Sequence, residues 1–260
     1  MSVVPRVVVH PDADVLAEAV AARLLTHLID LQSVRTPLHV VVTGGTVGIA
    51  ALRAVAASPV RDAVDWTGVH LWWGDERFVP AGDPDRNEGQ ARAALLDPLG
   101  AALPAANVHT MPALGGEAGD LESAAHAYAD ELAVWAPAGA AVPVPVFDVV
   151  LLGMGPDGHV ASLFPGHDTL HVTDRTVVPE ASSPKPPPAR TTLTFPAIRA
   201  ARAVWLVVAG AEKAEPVARA LGGATIDEVP AAGPAGTEQT LWLLDVAAAA
   251  QLTVTADVEA

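Results

Sequence analysis

The segment LLGMGPDGHVASLFPGH, residues 151–167, places an acid and an imidazole on a glycine-rich turn. Asp157 and His159 follow an apolar run that is typical of a buried strand. An imidazole titrates near neutral pH, which suits a general base, and a neighbouring carboxylate can orient its ring. The simpler interpretation is an ordinary loop histidine, because a spacing of two residues does not establish contact. The rest of the sequence decides between the two.

A second segment, TGGT at residues 43–46, has the composition of an anion-binding loop. Gly44 and Gly45 let backbone N–H groups approach a ligand closely, and the predicted helix VGIAALRAVAAS follows Thr46 with an N-terminus that favours negative charge. The segment is neither a Walker A motif nor a GxGxxG fingerprint. A tight strand-to-helix turn is therefore an equally good interpretation.

Two cationic positions also follow predicted strands. Arg77 comes after LWWG with Asp75 and Glu76 beside it, and its guanidinium suits a phosphate or a carboxylate. Lys213 lies one turn into the helix that follows VVAG. A surface charge cluster and a solvated lysine are the ordinary alternatives for these two positions.

Lys185 and Arg190 belong to the proline-dense segment PEASSPKPPPAR, residues 179–190. Their charges suit a lid that closes over an anionic ligand. They equally suit an exposed loop that the two charges only keep soluble. Several other histidines lie inside predicted strands or helices without an acidic cluster around them. We interpret these as structural; they are His10, His27, His39 and His70.

Apolar runs with strand character alternate with helix-period stretches almost from end to end. The first helix is expected to be capped by Asp12 or Asp14 and to end near Leu31. A final alanine-rich helix is expected after TLWLLD. The predicted strands are RVVVH, LHVVVT, GVHLWW, FDVVLLG, AVWLVVAG and TLWLLD. This alternation predicts an α/β fold, a Rossmann-like open and mostly parallel sheet with helices on both faces.

The four polar clusters each follow a predicted strand directly. In an open parallel sheet, ligands bind at the carboxyl ends of the strands. TGGT, GDERF, GMGPDGH and AGAEK are therefore expected to meet at one edge of the sheet. Convergence of all four favours a binding site over four unrelated connections.

Composition narrows the classes of function. With 260 residues and 51% hydrophobic residues, the chain is expected to form one domain, residues 1–260. A net charge of −15 argues against nucleic-acid binding, and the lack of cysteine excludes disulfides and thiolate chemistry. No signal-peptide pattern or long apolar span is recognisable, so a soluble, cytoplasmic protein is expected.

Taken together, these segments resemble the 6-phosphogluconolactonases of the pentose phosphate pathway, within the glucosamine/galactosamine-6-phosphate isomerase superfamily. The resemblance rests on four segments in order, spread over nearly the whole chain. They are TGGT, WWGDERFVP with the downstream DPDRNEGQARAALLD, FDVVLLGMGPDGHVASLFPGH, and SSPKPPPARTTLTFPAIRAARAVWLVVAGAEKA. One small departure is Thr43, where serine or a similar residue is expected before the glycines.

The resemblance implies hydrolysis of 6-phospho-D-glucono-1,5-lactone to 6-phosphogluconate, with no required cofactor and no metal. It implies that His159 is the general base that activates water and that Asp157 orients the site. It also implies substrate contacts; these residues are Gly44, Gly45, Thr46, Asp75, Arg77, Arg190 and Lys213. The expected partner is a small sugar-phosphate lactone, with no nucleic acid or membrane partner.

Two alternatives remain. A glucosamine-6-phosphate deaminase/isomerase shares the GxGxDGH turn, but such enzymes continue into a segment with an assisting glutamate. Here VASLFPGH follows, and no glutamate occurs before Glu180. A non-catalytic sugar-phosphate sensor usually works with a DNA-binding segment, and this acidic chain has no basic extension.

Overall fold

The computed structural model describes residues 4–252, which form two β-sheets. The larger sheet has seven parallel strands in the order β1-β10-β9-β6-β2-β3-β5. This confirms the predicted α/β class with a mostly parallel sheet. The strands, in chain order, are β1 (Arg6–His10), β2 (Leu38–Val42), β3 (Val69–Trp73), β4 (Asp75–Arg77), β5 (Val108–His109), β6 (Val149–Leu152), β7 (Val177–Glu180), β8 (Arg190–Leu193), β9 (Ala203–Val208) and β10 (Gln239–Asp245).

The helices follow the strands as the alternation predicted. A π-helical segment, Arg92–Leu96, joins the third helix to the fourth. The helices are α1 (Ala13–Gln32), α2 (Thr46–Ala57), α3 (Asn87–Ala91), α4 (Asp97–Leu99), α5 (Leu121–Val134), α6 (Phe195–Arg199) and α7 (Ala214–Leu221).

Helix α1 shows how local sequence determines an element. Asp12 caps it, because its carboxylate accepts the N–H of Val15 at 2.8 Å. The apolar residues spaced four apart are all buried, and each buried leucine stabilises the fold by roughly 1.5–3 kcal/mol. These residues are Leu16, Val20, Leu24 and Leu28. Both the cap and the buried face confirm the sequence prediction.

Both faces of the large sheet are covered. Every residue of β2, β3 and β9 is buried, as expected for parallel strands between two helical layers. Helices α1 and α2 pack against each other. Helix α5 is tied to β3, because the hydroxyl of Tyr128 accepts the N–H of Trp73 at 2.9 Å.

A second sheet, absent from the prediction, has three antiparallel strands in the order β4-β8-β7. All three strands are short and carry polar residues, so they lack the long apolar runs that mark strands in a sequence, and β7 and β8 flank the proline-dense segment. The predicted loop 179–190 is correspondingly shorter, because its two ends belong to β7 and β8.

The final alanine-rich helix is not present in the described part of the chain. Residues 246–251 form turns instead, and any continuation of the predicted helix over residues 253–260 lies outside the described residues. The carboxylate of Asp245 accepts the N–H of Ala248 at 2.7 Å, which starts a turn. Alanine has the highest helix propensity, but propensity alone does not maintain a short helix, and Ala248 is the only buried residue of residues 246–251.

Two of the histidines predicted to be structural lie deep in the sheet. His39 and His70 are register partners on β2 and β3, and both are buried. His70 Nδ1 lies 2.8 Å from His109 Nε2, and His39 Nδ1 accepts the indole N–H of Trp72. Their ring nitrogens are therefore used within the core, in agreement with a structural role.

One apolar core extends through the chain from Leu16 to Ala248. Its continuity is compatible with one domain over residues 1–260, which remains a prediction. No helix within residues 4–252 is long and apolar enough to cross a membrane.

Candidate active site

A single cavity of about 590 Å³ brings the four predicted clusters together at the carboxyl edge of the large sheet. The loops after β2, β6 and β9 and the strand β4 all contribute to its walls. Its lining includes Thr43, Gly44, Gly45, Thr46, Asp75, Arg77, Gly153, Gly155, His159, Lys185, Arg190, Gly210 and Lys213. The expected convergence is therefore observed.

The turn after β6 holds His159 against Asp157. The backbone bends tightly, because Gly158 has a φ of 82° and Gly155 both accepts the N–H of Gly158 and donates to the carbonyl of His159. Nδ1 of His159 lies 2.5 Å from the carboxylate of Asp157. This contact leaves Nε2 as the ring nitrogen available to the cavity. The ring also packs against Phe164, with centroids 4.5 Å apart.

The carboxyl of Asp157 is shifted toward the ionised form. Burial raises its pKa, but the hydrogen bond and charge of His159 outweigh burial and lower the pKa to about 2. Lys185 lowers it further. Asp157 is thus ionised at neutral pH and able to orient the imidazole and stabilise its protonated form.

Gly155 lies directly beneath this pair. A β-carbon at Gly155 would lie 2.1 Å from ring atoms of His159 and 2.4 Å from the Asp157 carboxylate. We predict that Gly155→Ala lowers kcat/KM by about 100-fold, because a displacement of about 1 Å of a reacting group costs this much. Steady-state kinetics would measure it, with Gly89→Ala as control, since Gly89 has no atom within 4 Å of its side-chain position. Equal activity of the two variants would contradict the prediction.

Asp157→Asn tests the carboxylate itself. The amide keeps the size of the side chain but removes the charge that holds Nδ1 protonated and stabilises the imidazolium. We predict a fall in kcat of about 10²–10⁴-fold, as for the orienting aspartate of serine-hydrolase triads. Single-turnover kinetics would measure it. A change of kcat below about threefold, with no change in KM, would assign Asp157 a turn-forming role only.

The TGGT segment forms the start of α2. Gly45 is the N-cap, with a φ of 79°, and it provides no side chain that caps the helix. The N–H groups of the first turn therefore lack a side-chain cap, which suits an anion. Thr43 accepts the N–H of Gly153 through its hydroxyl at 3.2 Å and so ties this loop to the one that carries His159.

Strand β4 presents Asp75 and Arg77 to the opposite wall. Asp75 is buried and accepts the hydroxyl proton of Ser162 at 2.7 Å. Arg77 donates to the carbonyl of Asp85, and its Nε has no hydrogen-bond partner within the described residues. That Nε is itself buried, so Arg77 faces the cavity with the rest of its side chain.

The side chain of Arg190 is buried, and the protein itself uses part of its guanidinium. It is 4% exposed, and two of its nitrogens donate to the carbonyls of Lys185 and Pro187, each at 3.2 Å. Burial lowers its pKa, while the carboxylate of Asp75 opposes this shift. Arg190 therefore anchors the proline-rich loop, and the predicted direct contact with substrate remains a prediction.

Two lysines on different loops meet at the cavity. The side chain of Lys213 is only 15% exposed and lies 3.7 Å from Glu212. Burial lowers the pKa of Lys213, Glu212 opposes this, and Lys185 lowers the pKa further. A lone lysine on a helix is only a weak sequence signal for the Lys213 site, and the expectation for Lys185 is a lid position and not a substrate contact.

The structure also adds residues that the sequence did not single out. Asn87 and Asp245 line the cavity, and Ser162 supports Asp75 from beneath it. Asp245 accepts the N–H of Gly210 on both carboxylate oxygens, at 3.1 Å each, and so holds the loop that leads to Lys213. Asn87 lies in the DPDRNEG segment, so its position in a recognisable motif was the available signal.

Comparisons with known proteins identify the relatives of this chain. The family model described as "Glucosamine-6-phosphate isomerases/6-phosphogluconolactonase" matches residues 11–242. A 6-phosphogluconolactonase of Streptomyces coelicolor is 55% identical over 258 residues, 97% of this chain and 96% of the relative. The structure of a 6-phosphogluconolactonase from Trypanosoma brucei superposes with a TM-score of 0.83 at 30% identity, covering 96% of this chain and 99% of the other. A monomeric glucosamine-6-phosphate deaminase has the same fold, with a TM-score of 0.75 at 18% identity, covering 95% of this chain and 99% of the other.

Proposed function

The chain belongs to the glucosamine-6-phosphate isomerase/6-phosphogluconolactonase family, and on this premise we infer that it hydrolyses 6-phospho-D-glucono-1,5-lactone to 6-phosphogluconate in the oxidative pentose phosphate pathway. The observation that carries the inference is the Asp157–His159 pair, 2.5 Å apart, in a cavity that is also lined by two lysines and two arginines. Identity of 55% to a named lactonase over almost the whole chain supports the same activity.

We propose that His159 acts as the general base. Nε2 removes a proton from water while the water oxygen attacks the lactone carbonyl carbon C1, which forms a tetrahedral oxyanion. The oxyanion re-forms the carbonyl, the bond from C1 to the ring oxygen breaks, and the imidazolium returns its proton to that oxygen. Asp157, held on Nδ1, stabilises the imidazolium between the two transfers. The second proton of the water stays on the new carboxyl group, which releases it to solvent to give 6-phosphogluconate, and the histidine ends neutral.

The phosphate is proposed to bind among the cations. The chain carries 15 basic against 30 acidic residues, yet four bases line this one cavity. We assign them to the anionic substrate together with the first-turn N–H groups of α2, since a helix N-terminus and cationic side chains bind phosphate in the same way. These side chains are Arg77, Lys185, Arg190 and Lys213. Lys185 thereby joins the contacts expected from the sequence, which also include Gly44, Gly45, Thr46 and Asp75.

Deamination of glucosamine 6-phosphate is a poorer fit. The first glutamate after His159 is Glu180, which is buried and whose carboxylate lies 2.9 Å from His167. Glu180 is therefore engaged by a different histidine and does not line the cavity. The structural likeness to a deaminase, at 18% identity, concerns the fold only.

The direct test measures turnover of freshly generated 6-phosphogluconolactone above its spontaneous hydrolysis. The full-length chain is expected to accelerate formation of 6-phosphogluconate and to leave glucosamine 6-phosphate unchanged. Tight binding of 6-phosphogluconate without turnover would refute the lactonase and favour a sugar-phosphate sensor. Ammonia release from glucosamine 6-phosphate would favour the deaminase.

We further propose that the protein acts in the cytoplasm on this small molecule alone. Its net charge of −15 opposes binding to the phosphate backbone of nucleic acids. Gel-shift experiments with duplex DNA at low salt are expected to show no binding.

A further inference from the structure

The side chain of Asn87 occupies the space where Gly44 would carry a side chain. A β-carbon built on Gly44 would lie 2.0 Å from Oδ1 of Asn87, 2.5 Å from its Cγ and 3.1 Å from its Nδ2. No real β-carbon approaches other atoms so closely. The carboxamide of Asn87, with Oδ1 nearest, therefore occupies the space in which Gly44 would carry a β-carbon.

Asn87 is held firmly in this place. Its Nδ2 donates to the carbonyl of Asp75 at 2.9 Å, and its backbone N–H donates to the carboxylate of Glu76 at 2.7 Å. The residue is 2% exposed, and Oδ1 has no hydrogen-bond partner within the described residues. A buried acceptor without a partner is costly, so this position is not explained by hydrogen bonding of the carboxamide alone.

Gly45, the neighbouring glycine, is in a different situation. It has a φ of 79°, and no atom lies within 4 Å of its side-chain position. A glycine is required at position 45 by the backbone conformation at the start of α2. At position 44 a glycine is required because a neighbouring side chain occupies the space of a β-carbon. The two glycines of one loop thus have two separate physical causes.

We propose that Asn87 is a positioning residue that sets the separation between the TGGT loop and the wall formed by Asp75 and Arg77. On this proposal Gly44 is a glycine because Asn87 needs the space, and not because the ligand does. The carboxamide links the two walls, since it contacts Gly44 on one side and is bonded to Asp75 on the other. The proposal rests on the lactonase function inferred above and deepens it.

A double-mutant cycle on the full-length chain tests this coupling. Gly44→Ala alone is expected to lower kcat/KM by about 100-fold, mainly through KM, because the loop is pushed away from the opposite wall. Asn87→Ala alone is expected to cost about tenfold, since the spacing relaxes without a clash. The double variant is expected to cost no more than Asn87→Ala, because the added methyl group then fills vacated space.

Gly45→Ala is the matched control on the same loop. Its cost comes from backbone strain, so Asn87→Ala is expected to give it no relief. Losses that multiply to about 1,000-fold in the variant Gly44→Ala/Asn87→Ala would overturn the proposal, because Gly44 would then be required by the ligand itself. The proposal would also be overturned if Asn87→Ala reduced the loss caused by Gly45→Ala to the same degree as the loss caused by Gly44→Ala.

A second readout separates this proposal from the proposed function. Titration calorimetry with 6-phosphogluconate gives Kd for every variant. The single and double variants are expected to show the same non-additive pattern in Kd as in kcat/KM. A wild-type protein that binds but does not hydrolyse lactone would refute the lactonase while the binding cycle still tests the coupling. Thermal unfolding checks that each variant folds, and Asn87→Ser replaces Asn87→Ala if the latter does not. Additive losses in Kd with Asn87→Ser would refute the coupling.

Discussion

His159→Ala is expected to lower kcat/KM for 6-phosphogluconolactone by about 10²–10⁴-fold, the usual contribution of a positioned general base. The variant removes the nitrogen that accepts the proton of water, and it leaves the cationic groups of the cavity in place. Binding of 6-phosphogluconate is therefore expected to change much less than turnover. The measurement uses freshly generated lactone and counts only hydrolysis above the spontaneous rate.

His171→Ala is the control for this experiment. His171 does not line the cavity; its side chain is 58% exposed, and its Nε2 lies 2.8 Å from Asp227. Its loss is expected to leave kcat/KM unchanged. If His159→Ala kept more than half of the wild-type activity, another group would have to activate the water. If it lost both activity and ligand binding, the ring would have a structural role in the cavity.

Arg86→Met is expected to destabilise the fold by about 3 kcal/mol, because it leaves a buried carboxylate without its charged partner. Glu76 is 1% exposed, and Nη2 of Arg86 lies 3.7 Å from its carboxylate. Methionine fills much of the same volume without a charge. Two nitrogens of Arg86, Nε and Nη1, have no partner within the described residues, and their removal offsets part of the loss. The estimate is therefore at the lower end for a broken buried pair.

The destabilisation is expected to be smaller at pH 5 than at pH 8. Burial raises the pKa of Glu76, while Arg86 and three backbone N–H groups lower it in part. Without Arg86 the pKa rises further, so the folded state binds a proton that the unfolded state has already released. A carboxyl whose folded pKa is raised favours the folded state at low pH, and stability falls as pH rises from the unfolded toward the folded pKa.

Urea unfolding of wild type and variant at both pH values measures this difference. Arg92→Met is the control, because Arg92 is 47% exposed and pairs with Glu88 at 2.8 Å on the helix surface. That pair is expected to contribute about 0.3–0.5 kcal/mol. A loss below 1 kcal/mol for Arg86→Met, or an equal loss at both pH values, would show that the backbone N–H groups alone stabilise the Glu76 carboxylate.

Elements with strong local patterns were predictable from the sequence. The cap and buried face of α1 follow from one aspartate and from apolar residues four apart, and the fully buried strands follow from uninterrupted apolar runs. The order of strand, polar cluster and helix also predicted that four clusters meet at one sheet edge. The resemblance then named the candidate residues within them.

The second sheet and the end of the chain were not predictable in this way. Strand β4 has three polar residues, and its pairing with β8 depends on contacts between segments more than 100 residues apart. The alanine-rich segment 246–251 has a high helix propensity yet forms turns, because propensity alone is a weak preference and only Ala248 of these residues is buried in the core.

The sequence by itself determined the fold class, the edge at which a site forms, and the histidine and acid that could do chemistry there. Only the tertiary structure decided that Arg190 anchors a loop, that Lys185 and Lys213 face one cavity, and that Asn87 occupies the space beside Gly44. The physical reason is the distance along the chain over which each kind of interaction acts. Caps and apolar periodicity act between neighbours along the chain, whereas side-chain direction, burial and contact between distant loops exist only after the sheet has assembled.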